Sequence, residues 1–452
     1  MEKILEHLIN QETEKFNKKQ RTNNFSDIND ANLGKINIKI FGIGGAGCNV
    51  VKCMANATNF KEEIQLYALD TDVNTLQRVL KSNVEINCHL LGKSIRKGMG
   101  AGGDIEIAKK IAEEETNKFK EFVHGADLVF FIAGLGKGTG SAITPIFSKV
   151  AKDMGICVVD IVTLPSIQAE GNDVYEKSLT SYQEIVDACD SFYTISNDKL
   201  INVYLDEDMT PEALFDKANM QAVNLIKVIC DTLSTPSYTN IAASDILSFF
   251  KHTKIFTLLS TTIKDSEYSY KTIHEKIAAI ISKDCSLVPI SNAKSALLNL
   301  ITTPKTTKNI IVNIKSVLSS YPNNANISLN YGCIENPYSD NIKIDILISS
   351  NLTKEEVLNN YDHIDLSSDN NLHVGLLSQV PLNEEAADFG IFGKPTKEEK
   401  SINLPSDDGV RINQFLDTSG LVHNTANFIT TQKLSDEECT DILESVYLKS
   451  KK

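Results

Sequence analysis

Residues 127–141 read Asp127-Leu-Val-Phe-Phe-Ile-Ala133, then Gly134-Leu-Gly136-Lys137-Gly138-Thr139-Gly140-Ser141. The first half is nearly all apolar, the pattern of a central parallel strand covered on both faces. The second half places four glycines in seven residues. Ordering so many glycines costs much backbone entropy, so the stretch predicts a use for them. That use is a nest of backbone amides around a polyphosphate, with the hydroxyls of Thr139 and Ser141 as further donors. It is not a Walker loop, because its Gly-Lys pair is followed by Gly and the upstream spacing differs. A helix is expected from Ser141 to Asp153.

Two further glycine loops precede this one in sequence. Gly42-Ile-Gly44-Gly45-Ala46-Gly47-Cys48-Asn49 follows the alternating run Ile36–Phe41 and opens a helix. Alone, its G-x-G-x-x-G fits a dinucleotide oxidoreductase, another nucleotide binder or a plain tight turn. Gly98-Met-Gly100-Ala101-Gly102-Gly103-Asp104 lies between the two, again before a helix, read from Gly103 to about Lys118. Three such loops in one sheet gather helix N-termini around one phosphate site at its carboxyl edge, which favours a nucleoside triphosphate.

Strand-like runs at Leu66–Leu69 and Ile156–Val162 alternate with the helices, so the expected fold is α/β, a Rossmann-like doubly wound parallel sheet. Thr210-Pro211-Glu212 starts a long helix, with a capping hydroxyl, proline at the first helical position and an acid in the first turn. Its apolar stripe is read as Phe215, Ala218, Ala222, Leu225, Ile226, Ile229 and Leu233. A smaller α+β unit follows, with strands near Ile255–Leu259, Ser295–Thr302, Ile327–Tyr331 and Ile342–Ile348. A helix is read at Tyr270–Ile281 and an amphipathic segment at Asn309–Ser319. The expected division is a flexible extension (1–35), a nucleotide-binding domain (36–210), a connecting helix (211–236), a C-terminal domain (237–350) and a polar tail (351–452).

The chain has 452 residues, with 45 Lys and Arg against 59 Asp and Glu, a net charge of −14. The acid excess argues against direct nucleic-acid binding as the main function. Neither a signal-peptide core nor a membrane-length apolar run is present, so a soluble, cytoplasmic protein is expected. Nine scattered cysteines without a C-x-x-C pair suit a reducing compartment. The eight histidines lack H-x-x-x-H or H-E-x-x-H spacing, and no protein metal site is expected.

At this point the chain resembles the FtsZ/tubulin family of filament-forming GTPases, and its loop wording is closer to FtsZ than to eukaryotic tubulin. The family's G-G-G-T-G-[S/T]-G loop is similar to Gly136–Ala142 here. The resemblance implies nucleotide contacts from Gly134, Leu135, Gly136, Lys137, Gly138, Thr139, Gly140 and Ser141. It implies the same for Gly44, Gly45, Ala46 and Asn49, and for Asp70 and Thr71 in a loop like A-x-N-T-D. Gly98, Gly100, Ala101 and Gly102 match the loop over the γ-phosphate. Glu170 matches a ribose contact, and Phe215 and Asn219 lie where the long helix meets the base. Asn240-Ile-Ala-Ala-Ser-Asp245 matches N-x-D-x-x-D, the loop one subunit inserts into the next. The resemblance thus implies GTP/GDP and Mg²⁺ as ligands and head-to-tail polymerisation, with Asn240 and Asp245 completing hydrolysis. It also implies a cytoskeletal role in cell division at the septal ring, with an adaptor protein held by the C-terminal tail. Ile412–Leu416 and Asp441–Leu448 are the candidate tail segments.

Three departures bear on activity. Ala242 replaces the first acid of N-x-D-x-x-D. Asn172-Asp173-Val174 follows Gly171, where FtsZ usually has arginines. Met220 replaces a base-reading Asp beside Asn219. Lys137 is either a point charge for phosphate that offsets the lost arginines or a solvent-facing loop residue. The alternatives are therefore a GTP-binding structural protein with weak or no hydrolysis, or a filament that positions plasmid or phage DNA.

Overall fold

The computed structural model describes residues 36–57, 64–82, 85–204, 210–234, 241–282, 286, 293–306, 309–321, 327–350, 352 and 356. The expected N-terminal extension, Asn240 and both tail segments lie outside these residues.

Six strands form a wholly parallel sheet: β1 (Ile38–Ile43), β2 (Ile64–Asp70), β3 (Asn87–Leu90), β4 (Leu128–Gly134), β5 (Cys157–Leu164) and β6 (Ser191–Ser196). Their order is β3-β2-β1-β4-β5-β6. This is a doubly wound arrangement whose order reverses between β1 and β4. Ile38–Ile43 lies in register with Leu128–Ala133, so the two central strands end level.

Helices cover both faces. On one side lie α4 (Ile105–Val123), α5 (Gly138–Asp153) and α7 (Asn172–Ala188), and their apolar stripes bury Phe41, Phe131, Val158 and Val162 of the sheet. Phe119 of α4 and Phe147 of α5 stack at 4.1 Å between ring centres. On the other side lie α1 (Gly44–Ala57), α9 (Pro211–Ser234) and α10 (Ala243–His252), packed on Ile40, Phe130, Val159 and Ile161. The short elements α2 (Val73–Leu80), α3 (Lys93–Arg96), α6 (Ile167–Glu170) and α8 (Asn197–Val203) connect strands at the carboxyl edge.

A second, smaller sheet runs β7 (Phe256–Lys264), β10 (Asn341–Ser350), β8 (Ala293–Thr302) and β9 (Ser328–Glu335). Only β8 and β9 pair in parallel. One face holds α11 (Tyr270–Ile281) and α12 (Asn309–Ser319). Leu297 and Leu347 instead join the core around α9. That explains why α9 buries Ala218, Ala222, Val223, Leu225, Ile226, Val228, Ile229 and Cys230, more than one stripe's worth. Phe215, read as part of the stripe, is 43% exposed and lies outside the core.

Several element limits differ from the sequence reading. α5 begins at Gly138, three residues before Ser141, so the last glycines of its loop are the helix's first turn. α4 begins at Ile105, and the Asp104 carboxylate caps it by accepting the Ile107 N–H at 3.0 Å. β7 begins at Phe256, and Ile255 forms an isolated bridge to Phe192 of β6. The polar edge strand β3 and the helices α2 and α7 lack a signal strong enough to predict. Among the described residues no helix is long and apolar enough to cross a membrane.

Candidate functional site

The order reversal between β1 and β4 opens a crevice at their carboxyl ends, the place where doubly wound sheets bind ligands. α1 and α5 both start there, so two helix N-termini converge on it. The loops interlock without room for side chains. A Cβ on Gly47 would sit 2.0 Å from the Ile132 carbonyl oxygen, and one on Gly138 would sit 2.9 Å from Ala101 Cβ. Gly44 has φ +73 and lies against the Gly140 backbone. The third loop, Gly98–Gly103, thus reaches the same place by packing Ala101 on the first turn of α5.

Hydroxyls and a buried acid tie the loops together. Thr71 Oγ1 and Thr139 Oγ1 share a 2.8 Å hydrogen bond, and Thr71 Oγ1 accepts the Ala101 N–H at 2.9 Å. The Gly100 N–H donates to the Thr71 carbonyl at 2.9 Å. Asp70 Oδ1 accepts the N–H groups of Thr71 (2.7 Å) and Asp72 (3.2 Å). Burial raises the Asp70 carboxyl above its ordinary pKa, and these N–H bonds oppose the rise. Ser141, read as a phosphate donor, is fully buried, and its Oγ accepts the Gly136 N–H at 2.8 Å. These side chains shape the cup from behind.

The surfaces left open are mainly backbone. Gly45, Ala46 and Asn49 on α1, Gly102 and Gly103 on the third loop, and Lys137 are exposed. A Cβ on Gly45 would meet nothing within 4 Å. Thr139, Gly100 and Gly134 are half-buried, whereas Gly98, Ala101, Leu135, Gly136, Gly138 and Gly140 are buried in the loop framework. Lys137 caps α5 without a side-chain hydrogen bond to the helix, and its Nζ is 3.8 Å from Glu170 Oε2. Glu170 Oε1 accepts from Asn197 Nδ2 at 3.3 Å and from the Ser166 N–H at 3.4 Å. Ser166 Oγ in turn donates to Asp198 Oδ1 at 2.5 Å. Sequence reasoning named Glu170 but not its bond to Asn197, which depends on a contact between two loops.

Phe215 and Asn219, one turn apart on α9, are exposed and half-buried. They share a helix face near the start of a helix that packs on α1. Asp245 is elsewhere. It occupies the first turn of α10, and its exposed carboxylate accepts the Ala242 N–H at 2.9 Å. Phe250 of α10 packs on Phe130 and Phe256, and in the chain leaving α10 the Lys254 carbonyl accepts the Phe192 N–H at 2.9 Å while Ile255 bridges to Phe192, near the start of β6. The C-terminal end of α10 therefore lies near the start of β6, at the amino edge of the sheet. The structure thus gathers the three glycine loops, Thr71 and Glu170, and carries Asp245 on a different element, the first turn of α10.

The family model for the GTPase domain of the Tubulin/FtsZ family matches residues 37–205. The cell division protein FtsZ 1 of Pyrococcus horikoshii is 31% identical over 268 residues, which cover 59% of this chain and 68% of that relative. The chain belongs to the FtsZ/tubulin family. The cell division protein FtsZ of Coxiella burnetii is 33% identical over 266 residues, covering 58% of this chain and 65% of its own length. Several curated FtsZ relatives are spanned for only 51–66% of their length. An empty FtsZ dimer from M. jannaschii shares the fold with a TM-score of 0.59 at 21% identity, over 75% of this chain and 92% of that one. The FtsZ/tubulin fold accounts for both sheets, the doubly wound one and the smaller one.

Proposed function

We propose that the chain is a GTP-binding, self-polymerising cytoskeletal GTPase. The observation that carries this reading is the cup of three interlocked glycine loops at the carboxyl edge of the sheet, with Asp245 exposed on a different element, α10. In this reading the cup and Asp245 are the two halves of one site. A second copy placed head to tail would bring its Asp245 over the first copy's cup, a heterologous contact that repeats into a filament.

In this reading residues 36–210 form the nucleotide-binding domain, 211–236 the connecting helix and 237–350 the C-terminal domain. The cup fits a triphosphate, because Gly45, Gly102 and Gly103 leave space for oxygens and direct backbone toward it. Glu170 holds the ribose, and Phe215 and Asn219 meet the guanine. Among the described residues no cluster of His, Cys, Asp or Glu would hold a metal unaided. Mg²⁺ would come bound to the phosphates and offset their charge. Phosphoryl transfer is chiefly positioning and charge stabilisation, so one carboxylate brought by a neighbour suffices to couple hydrolysis to assembly. Asp245 orients the attacking water, with Asn240 beside it in sequence. The cellular role that fits is cell division at a cytoplasmic septal ring, with the tail held by an adaptor protein.

The test is sedimentation of the purified chain with GTP or GDP, together with release of phosphate. Pelleting with GTP alone and phosphate release support the reading. A chain that stays monomeric at high concentration with GTP overturns it.

A second reading rests on Ala242, which offers no carboxylate at the start of α10, and on the absence of a cation directly after Gly171. It is a filament, for division or for positioning plasmid or phage DNA, that assembles with GTP and barely hydrolyses it. Pelleting without phosphate release distinguishes it.

A further inference from the structure

We infer that Arg96 is the cation that recognises the terminal phosphate and makes the site prefer a triphosphate to a diphosphate. This rests on the reading of the cup as a GTP site and adds a side chain to it.

The ordering of the carboxyl edge sets where each end of the nucleotide falls. Glu170 and Asn197 follow β5 and β6, on one side of the crevice. The loop Gly98–Gly103 follows β3, on the other side of the β1–β4 reversal. A nucleotide whose ribose meets Glu170 therefore runs its phosphates across α5 and α1 toward Gly98–Gly103. The last phosphate meets that loop.

Arg96 is the final residue of α3 and stands at the root of this loop. Its Nε donates to the Gly100 carbonyl at 2.8 Å, which folds the guanidinium back along the loop. One terminal nitrogen lies 3.5 Å from where a Cβ of Gly102 would be. Gly100, Gly102 and Gly103 have φ of +77, +68 and +78, and the Gly102 and Gly103 amides take no partner among the described residues. Two exposed amides and a guanidinium thus share one short loop, the combination that binds a phosphate oxygen by charge-assisted hydrogen bonds.

The charge is available. Among the described residues no carboxylate forms an ion pair with Arg96, although the chain carries a net charge of −14. Lys137, a second cation at the cup, lies on the ribose side and faces Glu170 at 3.8 Å. Part of its charge is already answered there. A guanidinium held flat by one bond, with its other donors unspent, is the better-placed group for a terminal phosphate.

Equilibrium titration of the full chain with GDP and with a non-hydrolysable GTP analogue tests this, for the wild type, Arg96→Gln and Arg96→Lys. Arg96→Gln should weaken the triphosphate at least about tenfold and leave GDP within about twofold, with Arg96→Lys in between. Equal weakening of both nucleotides means that Arg96 only props the loop, and overturns the inference. So does no weakening of either. A wild-type chain that binds neither nucleotide refutes the GTP reading itself, a result distinct from either of these. Thermal melting without nucleotide confirms that each variant is folded.

Discussion

Thr71, at the end of β2, and Thr139, in the first turn of α5, are joined hydroxyl to hydroxyl at 2.8 Å. The same Thr71 oxygen accepts the Ala101 N–H from the third loop. One buried hydroxyl therefore locks three loops that are far apart in sequence. Thr71→Val keeps the shape, leaves Ala101 without its acceptor and should destabilise the fold by about 2 kcal/mol. Thr71→Ser should restore most of it. Denaturant melts of the three proteins read the difference directly, and equal midpoints would remove Thr71 from this role.

The glycines divide into two kinds, and alanine substitution separates them. Gly47 has no room, since its Cβ would stand 2.0 Å from the Ile132 carbonyl oxygen. Gly47→Ala should cost at least about 3 kcal/mol or prevent folding. Gly45 has open space and lies in the first turn of α1. Gly45→Ala should fold as well as the wild type or slightly better, because alanine is the better helix former. Its effect should appear only in nucleotide affinity. A strongly destabilised Gly45→Ala protein would show that Gly45 belongs to the framework.

Much of this arrangement was legible in the sequence. The all-apolar run before Gly134 located β4, and the glycine runs located all three loops. The expected function, a polymerising GTPase, came from those loops and from Asn240–Asp245. The start of α5 was not legible, because glycine at residues 138 and 140 reads as loop by propensity, and only packing on Ala101 makes it helix. β3 was missed because its Asn-Cys-His-Leu lies at the sheet edge, partly exposed, where no apolar run is needed. The inward role of Ser141 and the place of Arg96 depend on contacts between loops, which no local pattern records. The base-contact reading of Phe215 fits its exposure, whereas its place in the buried stripe of α9 does not.

Asp160 is an acid in the middle of buried β5, and both its oxygens accept from Ser148 Oγ at 2.9 Å. Burial pushes its pKa from 3.8 up to about 8, with the Asp190 charge adding to the rise. The Ser148 hydroxyl, Lys254 and Cys189 oppose it. The folded chain therefore holds a proton here that the unfolded chain releases above pH 4. Stability contributed by this group is fully present below about pH 4 and is lost as pH rises toward 8, at about 1.4 kcal/mol per pH unit. Asp160→Asn cannot ionise. Its stability relative to wild type should rise across that window, as urea unfolding at pH 5 and pH 8 would reveal. A constant difference at the two values would mean that Asp160 is already ionised at pH 5.

Ala242 precedes α10 with extended backbone, φ −66 and ψ 151, the geometry of a helix cap, but offers no side-chain acceptor. Ala242→Asp supplies one for the first-turn amides and should stabilise the fold by about 1 kcal/mol. It also restores a second carboxylate beside Asp245. If the missing acid limits hydrolysis, phosphate release per filament subunit should rise as well. A melting shift without faster release would mean that the alanine costs only a cap.

The proposed division of the site between two copies can be tested by mixing. Asp245→Ala keeps the cup and loses the carboxylate, at a fold cost of about 0.5–1 kcal/mol for the lost bond to the Ala242 N–H. Gly45→Glu keeps Asp245 and places a carboxylate at the N-terminus of α1, where there is space for it and where it competes with phosphate. Each variant alone should release little phosphate, one for want of Asp245 and the other for want of nucleotide. Mixed in equal amounts, they form contacts in which an intact cup meets an intact Asp245, because a head-to-tail contact takes one half-site from each partner. Release from the mixture should then exceed the sum of the two alone, and should rise with total concentration. A mixture no better than that sum, with both variants folded and co-sedimenting, would show that Asp245 does not act on a neighbour's nucleotide.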